Sequence, residues 1–308
     1  MTGRTGGEAS TGWVLVGAPL DCSGTDRGEA REPTVLRDVG LDQRSLARDI
    51  GDADAMVDDS NRDARTGVVG FGQVVKASAE IQSAVADVLD GGERPLVVGG
   101  DCTILVGALA AVKQRLGRVG LAFVDGHADY FGGDTSPSGE AADMDLAFVT
   151  GYGPTGLVDL AGAPPIVEPG DVVLMGHRAD PHDGETPREV DLVDERIQLV
   201  DARAVRRGDP ERLGRYVAER LEAQTGRFWV HFDVDVFDQE EMPAVTYPQP
   251  DGLDWDQVEA LLRPLAGSPA LVGLSVADFV PDEDPDGHYA RRLVDLIASL
   301  LAPWPAET

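Results

Sequence analysis

Three short clusters carry most of the chemistry in this chain: Gly99-Gly100-Asp101-Cys102, Asp125-Gly126-His127-Ala128-Asp129 and His231-Phe232-Asp233-Val234-Asp235. Carboxylates, imidazoles and a thiol are all donors to divalent cations. Several carboxylates gathered in one dry pocket repel each other strongly unless cations sit among them. Asp125, His127 and Asp129 are spaced i, i+2, i+4, which on an extended strand end aims them to one face. Asp233 and Asp235 repeat that spacing, with His231 one step earlier on the same face. The expectation is a metal site with two ions; the plainer alternative is solvated aspartates at strand ends. Carboxylate with imidazole suits Mn²⁺, with Zn²⁺, Co²⁺, Ni²⁺ and Fe²⁺ left open.

Positioning such groups requires strands that end together. Each cluster follows an apolar run: Pro95–Val98, Val119–Val124 and Phe228–Val230. Further strands are expected at Trp13–Ala18, Asp171–Gly176, Ile197–Val200 and Ala270–Val276. Apolar periodicity predicts helices over Val74–Leu89, Ile104–Leu116, Ala142–Thr150, Pro210–Ala223, Trp255–Leu265 and Asp286–Leu301, with a further helix opening at Pro33–Arg37. Residues 51–67 are acidic and weakly periodic, which reads as a surface excursion. Alternating strands and helices give the α/β class, a mostly parallel sheet covered on both faces. In such sheets ligands sit beyond the carboxyl ends of the strands. No internal repeat or linker divides the chain, so a disordered N-terminal segment (1–10) and a single domain (11–308) are expected.

At 308 residues, 42% of them hydrophobic, the chain can bury a full core. A formal charge of −29 argues against a nucleic-acid surface and against anionic membranes, and it favours solubility or the steering of a cationic substrate. No apolar run approaches the ~20 residues of a membrane span. Met1–Ser10 lacks the apolar core of a secretory signal. Cys22 and Cys102 form no disulfide framework, so a cytoplasmic protein is expected.

Read in order, these pieces join a longer pattern. Val16-Gly17-Ala18-Pro19, Arg27-Gly28 and Pro33-Thr34-Val35-Leu36-Arg37 precede the clusters. Asp238, Pro243, Gly252-Leu253 and Gly273-Leu274-Ser275-Val276 follow the first residues of the third. The chain resembles the ureohydrolases, the arginase and agmatinase family, along nearly its full length. That resemblance implies a three-layer α/β/α arginase-like fold with a sheet of about eight strands, a homo-oligomer (trimer or hexamer) and a small cationic guanidino substrate. It also implies two Mn²⁺ ions bridged by Asp125 and Asp233. His127 and Asp235 would complete one ion's ligands, Asp129 and Cys102 the other's. A metal-bridging hydroxide would then cleave the guanidino C–N bond of arginine or a similar compound, Nω-hydroxyarginine included, releasing urea or hydroxyurea and an amine. Asp101 would accept a proton beside that hydroxide.

The sequence departs from the family pattern at three points. Cys102 stands where most members have a histidine ligand; its thiolate is a softer donor, or it is a small buried hydrophobe. In this the chain resembles the branch that includes Nω-hydroxyarginine amidinohydrolase. Ser136, Ser138 and Glu140 fall in the substrate-binding Ser-Gly-Asn-x-His stretch, with Glu140 at the Asn position and Ala142 at the shuttle histidine. A carboxylate at 140 would repel a substrate carboxylate and welcome an ammonium or guanidinium, the plainer alternative being that Glu140 points to solvent. Asp278 replaces the glutamate that pairs with the guanidinium. Asp183 and Glu185 resemble the acids that hold a substrate α-amino group, and His231 is either a support behind the ligands or an extra imidazole base. Asp101, Asp278 and His231 are thus the expected catalytic groups. Formimidoyl or agmatine-type hydrolysis on the same fold, and a catalytically weakened binding relative, are the competing readings.

Overall fold

The computed structural model describes residues 12–178 and 186–302. The N-terminal segment 1–10, Asp183 and Glu185 lie outside them. In chain order the strands are β1 (Trp13–Gly17), β2 (Arg48–Asp52), β3 (Arg94–Val98), β4 (Gly120–Val124), β5 (Val172–Met175), β6 (Gln198–Val200), β7 (Phe228–Asp233) and β8 (Leu271–Ala277). The helices are α1 (Glu32–Asp38), α2 (Leu41–Ser45), α3 (Phe71–Asp90), α4 (Ile104–Leu116), α5 (Asp145–Val149), α6 (Thr186–Leu192), α7 (Ala202–Arg207), α8 (Pro210–Thr225), α9 (Trp255–Ala266) and α10 (His288–Leu301).

One sheet runs β2-β1-β3-β8-β7-β4-β5-β6, and every pairing is parallel. Strand side chains alternate between its faces. Leu96 and Val98 join the core under α8, α9 and α10, whereas Val97 joins the core under α3 and α4. Ala122 and Val124 part from Leu121 and Phe123 in the same way. The result is the expected α/β/α sandwich. Its strand order matters for the site: β3, β8, β7 and β4 are neighbours, and Val98, Val276 and Phe232 share one register level with Val124. The three clusters therefore leave the sheet side by side.

Several elements differ from expectation. β2 is a strand the sequence did not announce, because Arg48-Asp49-Ile50-Gly51-Asp52 has no apolar run, and its last two residues fall in the stretch 51–67 expected as a surface excursion. It is an edge strand exposed along its whole length. Arg37 holds it with Nε 2.8 Å from Asp49 and Nη1 2.6 Å from Asp52. Beyond it, Ala55 and Val57 are buried, so the excursion is anchored. The segment expected as a helix from Ala142 is a 3₁₀ turn over Ala141–Asp143 followed by α5. Among the described residues no helix is long and apolar enough to cross a membrane.

Candidate metal centre

The turn after β3 is built on close backbone approach. Gly99 and Gly100 have φ of +101° and +71°, and a Cβ on them would lie 2.2 Å from Pro33 and 2.3 Å from the Leu20 carbonyl. Asp101 is fixed there by accepting the Cys22 amide (2.6 Å) and the Thr103 amide (2.9 Å). Burial pushes its carboxyl up to about 7. Cys102 follows, buried, with Sγ 2.6 Å from Asp233 Oδ2 and 4.0 Å from Asp125 Oδ2.

The second cluster meets it through a turn, not through an extended strand end as its spacing implied, and the third through the last residue of β7, Asp233, and the 3₁₀ turn that follows. β4 stops at Val124, and Asp129 adopts a left-handed φ of +46°. Asp125 accepts the His127 amide at 2.6 Å, and Asp233 accepts the Asp235 amide at 2.6 Å. An aspartate binding its own backbone two residues on curls the chain, and so both motifs wrap around one point. Donor atoms of Cys102, Asp125, Asp129 and Asp233 lie within 4.8 Å of one another, and those of Asp125, His127 and Asp235 do likewise. Asp125 belongs to both of these groups; His231 lies equally close to Cys102 and Asp125, and Asp278 to Asp233 and Asp235.

Electrostatics show what this cluster lacks. Burial, then neighbouring carboxylates, raise Asp125, Asp129 and Asp233 well above the ordinary range. His127 Nδ1 sits 2.6 Å from Asp235 Oδ2. Burial alone would lower the imidazole, but Asp235 outweighs it and His127 rises to about 10. Burial would likewise raise Asp235, yet His127 and Arg178 hold it at about 2. The protein alone tolerates this cluster only by keeping protons on it. Two divalent cations would take their place, and the oxygen, nitrogen and sulfur donors present fit them.

Residues 11–302 match the family model described as the arginase family. The chain belongs to the arginase family. It is 29% identical over 294 residues to an arginase of Bacillus caldovelox, spanning 93% of this chain and 97% of that one. The arginase structure from Bacillus cereus superposes with a TM-score of 0.83 at 27% identity, covering 95% and 99% of the two chains. Formimidoylglutamase of Bacillus subtilis shares the fold, with a TM-score of 0.71 at 18% identity over 96% and 87%. Family membership makes the chain a metal-dependent hydrolase of C–N bonds.

Within this arginase-family frame, the other expected residues fall into place unevenly. Asp101, Cys102, Ser138, Glu140 and Asp278 line an open cavity of about 140 Å³ together with His127, Asp129, Asp233 and Asp235, while Asp125 lies behind its lining. Ser136 is buried beside it, and both serines donate to Asp143, at 2.8 and 2.6 Å. Glu140 does not present a lone charge: Arg27 pairs with it, and Arg27 Nη1 also donates to the Tyr247 hydroxyl at 3.1 Å. His231 is fully enclosed and is not among the residues lining the cavity. Its Nδ1 is 2.8 Å from Ser275 Oγ and its Nε2 has no hydrogen-bond partner. Burial lowers it to about 3, so it is neutral.

The structure also brings in residues that spacing alone did not single out. Arg178, 2% exposed, donates to the carbonyls of Asp235 (2.7 Å) and Phe237 (2.8 Å), clamping the turn after β7. Gly126 must be glycine, since a Cβ would lie 1.5 Å from that guanidinium. Glu189 on α6 accepts the amides of Ala128 (3.2 Å) and Tyr130 (2.9 Å), holding the ligand turn from the far side. Asp145 is wholly buried, and its carboxyl is raised by burial and by Asp125. Thr246 bridges Asp278 and Glu29.

Proposed function

We propose that this protein cleaves the guanidino C–N bond of arginine or an arginine-like compound, Nω-hydroxyarginine included, releasing urea or hydroxyurea and an amine. One observation carries the reading: Cys102, His127, Asp129, Asp233 and Asp235, donors gathered around Asp125, line one cavity together with Asp278. Cys102, Asp125, Asp129 and Asp233 would hold one cation, and Asp125, His127 and Asp235 the other, with Mn²⁺ the proposed metal. When bound, two such ions supply a water acidified towards neutral pH and a positive field for developing negative charge.

The chain's own groups do the rest. Asp278 Oδ1 lies 3.1 Å from Thr246 Oγ1, and its carboxylate accepts guanidinium N–H groups and so orients the trigonal carbon. A departing amine needs a proton. Ala142 offers none, and His231 does not reach the cavity. Asp101 lines it, and burial sets its carboxyl at about 7, suited to taking and returning a proton near neutral pH. Arg27 and Glu140 support an α-amino acid tail over a simple amine. Paired at the cavity, they match a zwitterion's carboxylate and ammonium, whereas Glu140 alone would favour the ammonium only. The cytoplasmic setting and the homo-oligomer belong to the same proposal; Cys22 and Cys102, both buried and unpaired, suit a reducing compartment.

The test is to load the protein in turn with Mn²⁺, Co²⁺, Zn²⁺, Ni²⁺ and Fe²⁺. Arginine, Nω-hydroxyarginine, agmatine and formimidoylglutamate are then offered, and urea, hydroxyurea and ammonia are quantified. Urea or hydroxyurea from the amino-acid substrates supports the reading. Two bound metals with no release from any guanidino compound would overturn it.

A further inference from the structure

Glu29 lies at the cavity but outside both donor groups. It is 3% exposed; Oε1 accepts the Thr246 hydroxyl, and Oε2 has no hydrogen-bond partner. The same Thr246 oxygen is 3.1 Å from Asp278 Oδ1, and the Thr246 amide is 3.4 Å from Oδ2. A hydroxyl carries one proton, so Thr246 cannot donate to Glu29 and Asp278 at once. The two buried carboxylates, both of residues that line the cavity, are therefore short of donors. The nearby cation Arg27 is already engaged by Glu140 and Tyr247.

Glu29 is also held in position. It follows Gly28, whose φ is +120° and whose Cβ, if present, would meet Val280 at 3.1 Å. Its carbonyl accepts the Gly100 amide at 3.3 Å, tying it to the turn that presents Asp101 and Cys102. A buried acid with a free oxygen, fixed beside the group proposed to face the guanidinium, has the placement of a binding group.

We propose that Glu29 is a second head-group carboxylate, gripping one N–H edge of a guanidinium or amidinium while Asp278 grips another. This rests on the C–N hydrolase reading above and deepens it. A planar cation with donors on several edges satisfies Glu29 Oε2 and relieves Thr246 of serving two acceptors. A neutral ureido analogue lacks the charge and is rejected.

The experiment uses the full Mn²⁺-loaded chain. Methylguanidinium binding is measured by calorimetry, and KM and kcat are measured with the best guanidino substrate. Glu29→Gln should weaken methylguanidinium and raise KM by about tenfold or more, with a smaller change in kcat and with manganese content and thermal midpoint unchanged. Glu29→Asp, which keeps the charge, should recover part of the loss. Unchanged binding and KM in Glu29→Gln overturn the role of Glu29, while continued turnover leaves the hydrolase reading standing. A wild-type protein that neither binds nor turns over any guanidino compound overturns both. Should Glu29→Gln fail to fold, Glu29→Asp decides, because it withdraws the carboxylate by one methylene and unchanged binding would again overturn the role.

Discussion

Cys102 is the residue on which the metal chemistry turns. Burial and the flanking Asp233 and Asp125 carboxylates push its thiol well up, so without cations it stays protonated. A cation among the same groups favours the thiolate. Cobalt-loaded protein should therefore absorb in the near ultraviolet through thiolate-to-metal charge transfer. Cys102→Ser should abolish that band and Cys102→His should strengthen Mn²⁺ binding; a band surviving in the serine variant would place the thiol outside the metal shell. Asp278 has a different expected signature. Asp278→Asn removes the charge but little volume, and kcat/KM should fall by about 10- to 100-fold, corresponding to ~1.5–3 kcal/mol for a charge-assisted contact. Metal analysis should show both ions retained. At this scale the donor clusters were legible because their types and spacing lie together in the chain. Glu189 was not, because it meets Ala128 across 61 positions of sequence. Arg178 and Asp235, 57 positions apart, are another such pair.

The elements convert these residues into a site. Pairing β8 and β7 between β3 and β4 places the ends of four strands together, and turns then bend the carboxylates inward. Apolar runs made β3, β4 and β7 readable, since strands buried on both faces need them. β2 was unreadable for the converse reason, as it is an exposed edge held by Arg37. Loosening the supports should weaken the metal site without touching a ligand. Glu189→Gln should destabilise the protein by ~1–3 kcal/mol and lower metal affinity, because the amides of Ala128 and Tyr130 lose a charged acceptor. Arg178→Lys should cost about 2–3 kcal/mol, since an ammonium cannot reproduce the fork that spans the Asp235 and Phe237 carbonyls. Denaturant melts and metal titrations of the two variants check both effects. Wild-type values in either would mean that the ligand turns hold themselves.

Over the whole molecule, the buried acids tie stability to pH and to metal. Burial raises Asp101 and Glu189 to about 7 each. Their folded forms keep protons that the unfolded chain has released, so stability without metal falls as pH rises through about 7. His127, raised to about 10 by Asp235 against the pull of burial, extends the loss upward. The histidines His177 and His231, lowered by burial to about 4 and 3, act oppositely, adding stability only up to their ordinary value of 6.5. Chelated protein should therefore melt at a lower temperature at pH 8.5 than at pH 6.5, while the gain from adding Mn²⁺ should be larger at pH 8.5, where the metal displaces protons from the donors more easily. A metal-free midpoint that climbs over this range would contradict the burial of these acids. The amino-acid order by itself determined the sheet class, the donor-bearing clusters and the family pattern, because apolar runs and donor spacings are local properties. Only the tertiary structure decided that Arg27 cancels the charge of Glu140, that His231 sits enclosed behind Cys102 and Asp125, and that Glu29 and Asp278 share Thr246. Each of these depends on which distant segments the strand order brings together, and no local spacing encodes that.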